Sequence, residues 1–375
     1  MKNNLKKGVV LKVVILHPPF YPMNHQFFNL LGKYVKLKVY HFGEYPRLHT
    51  SWKIYDFKDK AENYNIKVFG KGAISFKTQV NPSWIQELIN DKPDFVISVA
   101  FWIPSLYASL LKNIFGYKFI ISTDAICETE KNLSSFRKNI RKVICKNTDG
   151  FISASDLTTE YLESLCPNVV IEKSLQTIDV NQWNKNLNNL STKEILRKEL
   201  SLPLDKTIIL GVGGFTEKKN WMAVFQQMKL LNDCIFVLIG SGELEEEYKK
   251  YIEKNQLQKV VKIVGRKEGL ELQKYFKVSD IFIFPSLYDQ FGYVVVEALA
   301  SGLPVICSEN SGASSLIKDG KNGFVVNPID DFTDKINLII QNISTYQEEA
   351  FKTVETKTLE NKTLEYVDVL KSMEK

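Results

Sequence analysis

Two carboxylates stand eight positions apart in the stretch 281–304, IFIFPSLYDQFGYVVVEALASGLP: Asp289 and Glu297. The stretch reads as a short apolar strand ending at Pro285, a polar turn, Phe291-Gly292, and a helical run that stops at Gly302-Leu303-Pro304. Two acids flanking a strand-to-helix junction suit a ligand rich in hydroxyl groups. Acids near a helix N-terminus are also favoured by the helix dipole alone, so an exposed turn acid followed by a helix acid is the plain alternative. The neighbours of Glu297 count against it. Val294, Val295, Val296, Ala298, Leu299 and Ala300 surround it in sequence. Its carboxylate is therefore expected to be poorly solvated and in need of hydrogen-bond donors. A ribose diol supplies two.

A second constellation lies upstream, in 211–220, GVGGFTEKKN. A strand enters, Gly213 and Gly214 let the backbone approach a ligand, and Lys219 follows near a helix start. Backbone N–H groups at such a junction, with one ammonium, form a place for a diphosphate. An ordinary glycine turn is the competing reading. The spacing is neither that of a phosphate-binding P-loop nor that of a dinucleotide fingerprint. Gly240-Ser241-Gly242 and Gly265-Arg266 end the next two expected strands. Three glycine loops at successive strand ends would line one sheet edge, and the loop 265–267 is the place for a nucleobase held by backbone groups.

The elements that must position these residues alternate. Strands are expected at 9–16, 37–42, 65–69, 95–99, 119–122 and 150–154, with helices at 27–34, 83–90, 105–114 and 133–145, and another capped by Ser155. After a polar stretch (NQWNKNLNNLSTK) the pattern resumes, with strands at 208–212, 235–239, 260–264, 281–284, 305–307 and 324–326. Near-continuous Val/Ile/Leu strands separated by helices predict parallel sheets covered on both faces. The expected division is 1–178, a linker and entry helix over 179–206, a second domain over 207–345, and a helical tail over 346–375. Two doubly wound halves would face each other across a cleft at the carboxyl ends of both sheets, where such folds bind ligands.

In the first half, His17, His25 and Asp124 follow strands and would lie at that carboxyl edge; a surface role is the plain reading for the histidines. The stretch from Lys131 to Lys146, KNLSSFRKNIRKVICK, holds six basic residues and no acid. Leu133, Phe136, Ile140, Val143 and Ile144 have helical spacing and are expected to face the core. A basic amphipathic helix of this kind also suits an anionic membrane surface. Nucleic acid is not expected, since no recognition motif accompanies the charge.

The 375 residues suit two domains, and 44% hydrophobic with 25% charged residues is a globular composition. The net charge of +6 is mild. No apolar run nears the roughly 18 residues of a membrane span. The start, MKNNLKKGVVLKVVILHPPF, is read as a first strand rather than a secretory leader, since Lys12 interrupts it and no small-residue cleavage site follows. The five cysteines show no C-x-x-C spacing and are expected to be thiols in a reducing cytoplasm, with no metal site.

The stretch 285–304 resembles the motif of group 1 glycosyltransferases (glycosyltransferase family 4), retaining enzymes of the GT-B fold. The resemblance is specific over 208–326; the first half matches only in its strand pattern. It implies that Glu297 binds the ribose of the nucleotide, that Asp289 contacts hydroxyls of the donor sugar, and that Lys219 meets the diphosphate. The backbone amides of Phe291, Gly292 and Tyr293 would meet sugar or phosphate. Asp289, Lys219 and Asp124 are then the candidate catalytic residues, and Gly213, Gly214, Gly265 and Arg266 join the donor site. Three positions depart from the family pattern. Asp289 stands for a glutamate, with Gln290 beside it in place of a glycine. Gly214 stands for a phosphate-binding arginine, for which Lys218 or Arg266 would have to compensate. Ser315 stands for a glutamate.

The expected activity is retaining transfer of a sugar from a nucleotide diphosphate sugar, UDP-linked in preference to GDP-linked, to a lipid-linked glycan in bacterial surface polysaccharide assembly. No metal or other cofactor is required on this reading. The protein would be cytoplasmic and peripheral to the membrane. A nucleotide-sugar epimerase on the same fold, or an inactive transferase-like subunit, are the alternatives.

Overall fold

The computed structural model describes residues 10–19, 22–46 and 60–374. The leader-like residues 1–9, including Val9 at the head of the first expected strand, lie outside the described residues. The chain divides into two compact units: one formed by the residues up to Leu175 together with those from Leu359 onward, the other by 176–358.

The first unit is built on a seven-stranded sheet: β1 (Lys12–His17), β2 (Lys36–His41), β3 (Tyr64–Val68), β4 (Phe95–Val99), β5 (Lys118–Thr123), β6 (Gly150–Ser153) and β7 (Val170–Lys173). The order is β3-β2-β1-β4-β5-β6-β7, and every pairing is parallel. The second unit holds β8 (Thr207–Val212), β9 (Cys234–Ile239), β10 (Val261–Ile263), β11 (Ile281–Phe284), β12 (Val305–Ser308) and β13 (Gly323–Val326), in the order β10-β9-β8-β11-β12-β13, again all parallel. Both are doubly wound, as the sequence predicts. The central strands are buried on both faces: Ile281, Phe282, Ile283 and Phe284 are all inaccessible. That double coverage is why their sequences run apolar without alternation. In the second sheet the winding direction reverses between β8 and β11, so the loops leaving these two strands are neighbours.

The expected linker 179–206 is an integral part of the second unit. Its helices Val180–Asn188 and Lys193–Glu199 pack on the helix Gly269–Val278. Trp183 lies edge-on to Phe276 at 5.3 Å and donates from Nε1 to Ser301 Oγ at 2.9 Å. Buried Arg197 binds Asp280 at 2.6 Å and the carbonyls of Val278 and Lys206. The stretch 346–375, expected as one tail, is shared between the units. The helix Ile343–Glu355 packs on Tyr293–Ala300 in the second unit. The helix Leu359–Glu374 packs on Pro22–Leu31, and Leu359, Tyr366, Val367 and Leu370 complete the core of the first.

The expectation of five thiols is corrected at one pair: Cys145 and Cys166 form a disulfide, with Cα atoms 5.6 Å apart. Cys145 lies in the last turn of the helix Ser135–Lys146 and Cys166 caps the helix Asp156–Leu165, so the bond joins the C-terminal ends of the two helices. Cys127, Cys234 and Cys307 are free thiols. Among the described residues no helix is long and apolar enough to cross a membrane.

Candidate functional site

In the second unit the chain lays the predicted glycine loops side by side at the carboxyl edge of the sheet. Gly213 N–H donates to the Ile239 carbonyl at 3.0 Å, Phe215 N–H to Ser241 at 2.9 Å, and Gly240 N–H to Gly265 at 3.2 Å. Glycine is required where these loops touch. A Cβ on Gly240 would stand 1.9 Å from the Gly213 carbonyl oxygen, and one on Gly242 would stand 2.6 Å from that of Phe215. Gly265 has φ +72° for a different reason: it turns the chain in open space.

Lys219 lies in the short turn Glu217–Lys219 that follows the first of these loops. Its ammonium pairs with Asp289 Oδ2 at 2.6 Å and sits 4.6 Å above the Phe284 ring. Both partners are largely covered, with side chains 15% and 17% exposed. The structure thus joins two residues that stand 70 positions apart in sequence. Asn220, at φ +56°, ends this turn and anchors it, donating from Nδ2 to the carbonyls of Pro285 and Pro328. Asparagine is one of the few non-glycine residues suited to that conformation. The Leu287 N–H also donates to the Lys218 carbonyl, at 2.8 Å, so the loops of β8 and β11 are tied by backbone as well as by charge.

The loop bearing Asp289 is held from its other side. Asp289 N–H donates to Asn310, and its carbonyl accepts from Gly312 N–H. The Phe291 carbonyl accepts from Ala313 N–H at 2.8 Å and from the buried Ser311 Oγ at 2.7 Å. Gly292, at φ +97°, then starts the helix Tyr293–Ala300; a Cβ there would lie 2.7 Å from the Phe284 ring. Phe291 is buried, with Tyr293 against it at 5.6 Å between ring centroids. Ser315 lies in the turn Gly312–Leu316.

Glu297 is carried by that helix. Its Oε2 is buried without a hydrogen-bond partner, and burial raises the carboxyl pKa from 4.5 to about 8. The poor solvation read from its apolar neighbours is borne out at Oε2, while the residue as a whole is partly exposed. A buried acid left in this state is stabilised by a ligand that brings hydroxyl donors.

Two predicted donor residues differ from the rest. Gly214 is exposed, and a Cβ there would meet nothing closer than 3.9 Å, so no packing demand explains the absence of a side chain. Arg266 is exposed and paired with Glu268, which holds the guanidinium that was to compensate. Lys218 is also exposed.

In the first unit, Asp124 follows β5 in a partly buried position. Its neighbours come from the far end of the chain and are not legible in sequence order. The helix Leu359–Glu374 brings the buried Lys362 into its electrostatic range, and Tyr366 OH lies 2.7 Å from Ser122 Oγ. Desolvation lowers the Lys362 pKa to about 8 against the opposing pull of Glu365 and Asp124. Heptad-like apolar spacing marks this helix as amphipathic, but not what it covers. His17 is buried rather than at the surface, and desolvation lowers its pKa to about 4. His25 Nδ1 is 2.8 Å from Tyr64 OH, and Asn29 Nδ2 lies 3.1 Å from its Nε2.

The basic helix is corrected in both extent and orientation. It spans Ser135–Lys146, with Ser134 Oγ accepting from Arg137 N–H. Arg141 faces inward: it pairs with Glu130, donates to Tyr161 OH and lies 5.2 Å from the centroid of Phe101. Phe136 and Val143, expected in the core, are 69% and 38% exposed. Ile144 and Ile140 do face the core as expected, and Arg141 and Cys145 share that inner face with them. Among the described residues no group of acids, histidines and cysteines could hold a metal ion.

Residues 192–352 match the family model of glycosyl transferases group 1. The chain is 36% identical over 140 residues to an amylovoran biosynthesis glycosyltransferase, AmsK, of Erwinia amylovora, covering 35% of this chain and 34% of that protein. It is 28% identical over 206 residues to an Escherichia coli enzyme named UDP-Gal:alpha-D-GlcNAc-diphosphoundecaprenol alpha-1,3-galactosyltransferase, covering 52% and 50%. The chain spans about a third to a half of the length of these curated relatives. Among solved structures, it superposes on Anabaena HepE in complex with UDP with a TM-score of 0.78 at 14% identity, covering 96% of this chain and all of that one. The apo form of the lipopolysaccharide outer core galactosyltransferase WaaB gives 0.74 at 16% identity, covering 96% and 99%. At these identities the likeness shows the fold, two Rossmann-like units of the GT-B type.

Proposed function

We propose that this chain is a retaining glycosyltransferase that moves a sugar from a nucleotide diphosphate sugar, UDP-linked in preference to GDP-linked, to a lipid-linked glycan in surface polysaccharide assembly. The observation that carries the reading is Glu297, a partly buried residue whose carboxylate oxygen Oε2 is buried and unpartnered, which a ribose diol would satisfy. The match over 192–352 supports the transferase class. The names of the relatives support the polysaccharide setting, and the UDP bound by a protein of the same fold supports the nucleotide.

On this reading Lys219 faces the diphosphate, where negative charge develops as the sugar leaves. Its present partner, Asp289, is the acid that meets sugar hydroxyls, so donor binding divides the pair between phosphate and sugar. The backbone amides of the loops at Gly213, Gly214, Phe291, Gly292 and Tyr293 add fixed donors to phosphate or sugar, and the loop at Gly265 and Arg266 receives the base. Transfer breaks the bond from the anomeric carbon to the diphosphate oxygen and forms one to the acceptor oxygen. The acceptor proton passes to the departing phosphate oxygen. Asp124, beside Lys362 in the first unit, orients the acceptor hydroxyl. A lysine and helix-start amides carry the leaving-group charge, so the mechanism requires no metal. A lipid-linked acceptor places the protein on the cytoplasmic face of the membrane, with the exposed Phe136, Val143, Lys138, Lys142 and Lys146 toward the lipid.

The test is a panel of nucleotide sugars with mass-spectrometric detection, run beside calorimetric titration with UDP and GDP. Transfer or slow hydrolysis of one donor is expected. Glu297→Ala should weaken UDP binding by about 30-fold or more, the worth of one to two hydrogen bonds to a charged group. Unchanged affinity would remove Glu297 from the ribose site. Formation of an epimer, or nucleotide binding without turnover, would replace the transferase reading.

A further inference from the structure

Two cavities are lined by residues from both the helix Ser135–Lys146 and the end of the helix Asp156–Leu165. One, of about 390 Å³, is bordered by Lys138 and Lys142 over Leu133 and Leu165. The other, of about 490 Å³, is bordered by Lys142 and Lys146 over Leu165, Pro167 and Val169. They share Lys142 and Leu165, so they form one furrow. Lys138, Lys142 and Lys146 recur at one-turn spacing and stand on the same side of the helix. None of the three has an ion-pair partner among the described residues. The other charges at the furrow are already matched: Lys131 pairs with Glu128, and Arg141 with Glu130. The outer face of the same helix presents Phe136 and Val143 to solvent.

We propose that this furrow is a binding site for the headgroup of an anionic phospholipid, with the phosphodiester between Lys138 and Lys142 and the glycerol end over Leu165 and Pro167. This deepens, and rests on, the membrane part of the function proposed above. Charge complementarity selects the ligand's sign. The apolar floor selects an amphiphile over a free anion, because inorganic phosphate would leave Leu133, Leu165 and Val169 uncovered. The arrangement also differs from a diffuse basic surface in a way that can be measured. Arg137 is exposed on the same helix but borders neither cavity. A smeared electrostatic attraction would value Arg137 and Lys142 alike, at about five-fold in partitioning for each charge near an anionic surface. A site that grips the phosphodiester values Lys142 more, because it makes charge-assisted hydrogen bonds there.

The experiment uses the full chain with phosphatidylcholine vesicles containing phosphatidylglycerol, measured by co-sedimentation. It is paired with titration of dihexanoyl-phosphatidylglycerol below its micelle concentration. Lys142→Gln is expected to lower vesicle partitioning by about 30-fold, the effect of losing hydrogen bonds to a charged group, and Arg137→Gln by about five-fold. The short-chain lipid should bind the wild type and not Lys142→Gln, and inorganic phosphate should not displace it. UDP binding, unchanged in both variants, reports that the second unit is intact, and the far-ultraviolet spectrum reports on the rest. Equal losses at Lys142 and Arg137 would overturn the site and leave the membrane reading standing. No binding to the anionic vesicles would remove both. Displacement by phosphate would make the furrow an anion site and overturn the lipid assignment.

Discussion

Replacing Glu297 by glutamine tests the electrostatics of the nucleotide site without changing its shape. The wild-type carboxyl titrates near 4.5 when unfolded and about 8 when folded, because burial penalises its ionised form. The folded state therefore holds a proton over a range in which the unfolded state has released it. The contribution to stability is complete below pH 4.5 and is lost as pH rises toward 8. At 1.36 kcal/mol for each pKa unit, the whole loss is on the order of 5 kcal/mol. Glutamine fills the same space and has no proton to lose, so this slope is absent from the variant. Urea unfolding at pH 5, 7 and 9, without nucleotide, is the assay. The stability of the wild type relative to Glu297→Gln should fall by several kcal/mol across the series, while other titrating groups cancel in the difference. Nucleotide should reverse the preference. Ribose hydroxyls donate to the carboxylate and favour its ionised form, so UDP binding at pH 7 should release close to one proton. Calorimetry in buffers of different ionisation enthalpy reads that release, which the variant should lack. Parallel pH curves for the two proteins would show that Glu297 is solvated, and the reasoning from its unpartnered oxygen would fail.

Lys219→Met should weaken UDP binding by about 10- to 100-fold while leaving uridine unaffected, because the ammonium serves the diphosphate and not the base or ribose; equal losses for both ligands would place the lysine elsewhere. Gly214→Arg should fold with stability within about 0.5 kcal/mol of the wild type, since its Cβ enters open space. It should tighten UDP by about two- to five-fold through one more phosphate charge, and calorimetry decides. Gly292→Ala combines a left-handed backbone with a contact to the Phe284 ring. A loss of about 2–3 kcal/mol in urea unfolding is expected, and a loss under about 0.5 kcal/mol would refute the stated geometry.

The parts of this architecture that were legible in the sequence are those fixed by local pattern. Strands such as Ile281–Phe284 are unbroken apolar runs because helices cover both their faces, and the glycines of 211–220, 240–242 and 265 mark the loops between them. The apolar neighbours of Glu297 announced its desolvation. Contacts made across the fold were not legible. The pairing of Lys219 with Asp289 depends on β8 and β11 being adjacent, which sequence order hides. Arg141 reads as one more surface cation until Glu130 and Tyr161 are folded against it. Phe136 and Val143 share the spacing of core residues, and only the docking of the helix shows that its buried side is the one bearing Arg141 and Ile144. Cys145 and Cys166 meet because two helices end together, a relation that spacing in sequence does not reveal.

The return of the helix Leu359–Glu374 to the first unit sets the order in which the chain can mature during its synthesis. The second unit has all of its residues once Thr358 has emerged. The first, although translated earlier, still lacks Leu359, Tyr366, Val367 and Leu370, and Phe27 and neighbouring apolar groups wait uncovered for them. At roughly 5–20 residues per second, that wait lasts for the whole translation of the intervening unit, on the order of ten to forty seconds. The half made first is thus the half finished last. A stalled nascent chain that ends at Thr358 and is lengthened by a flexible linker filling the ribosomal exit tunnel should show a protease-resistant second unit beside a first unit that is still cleavable.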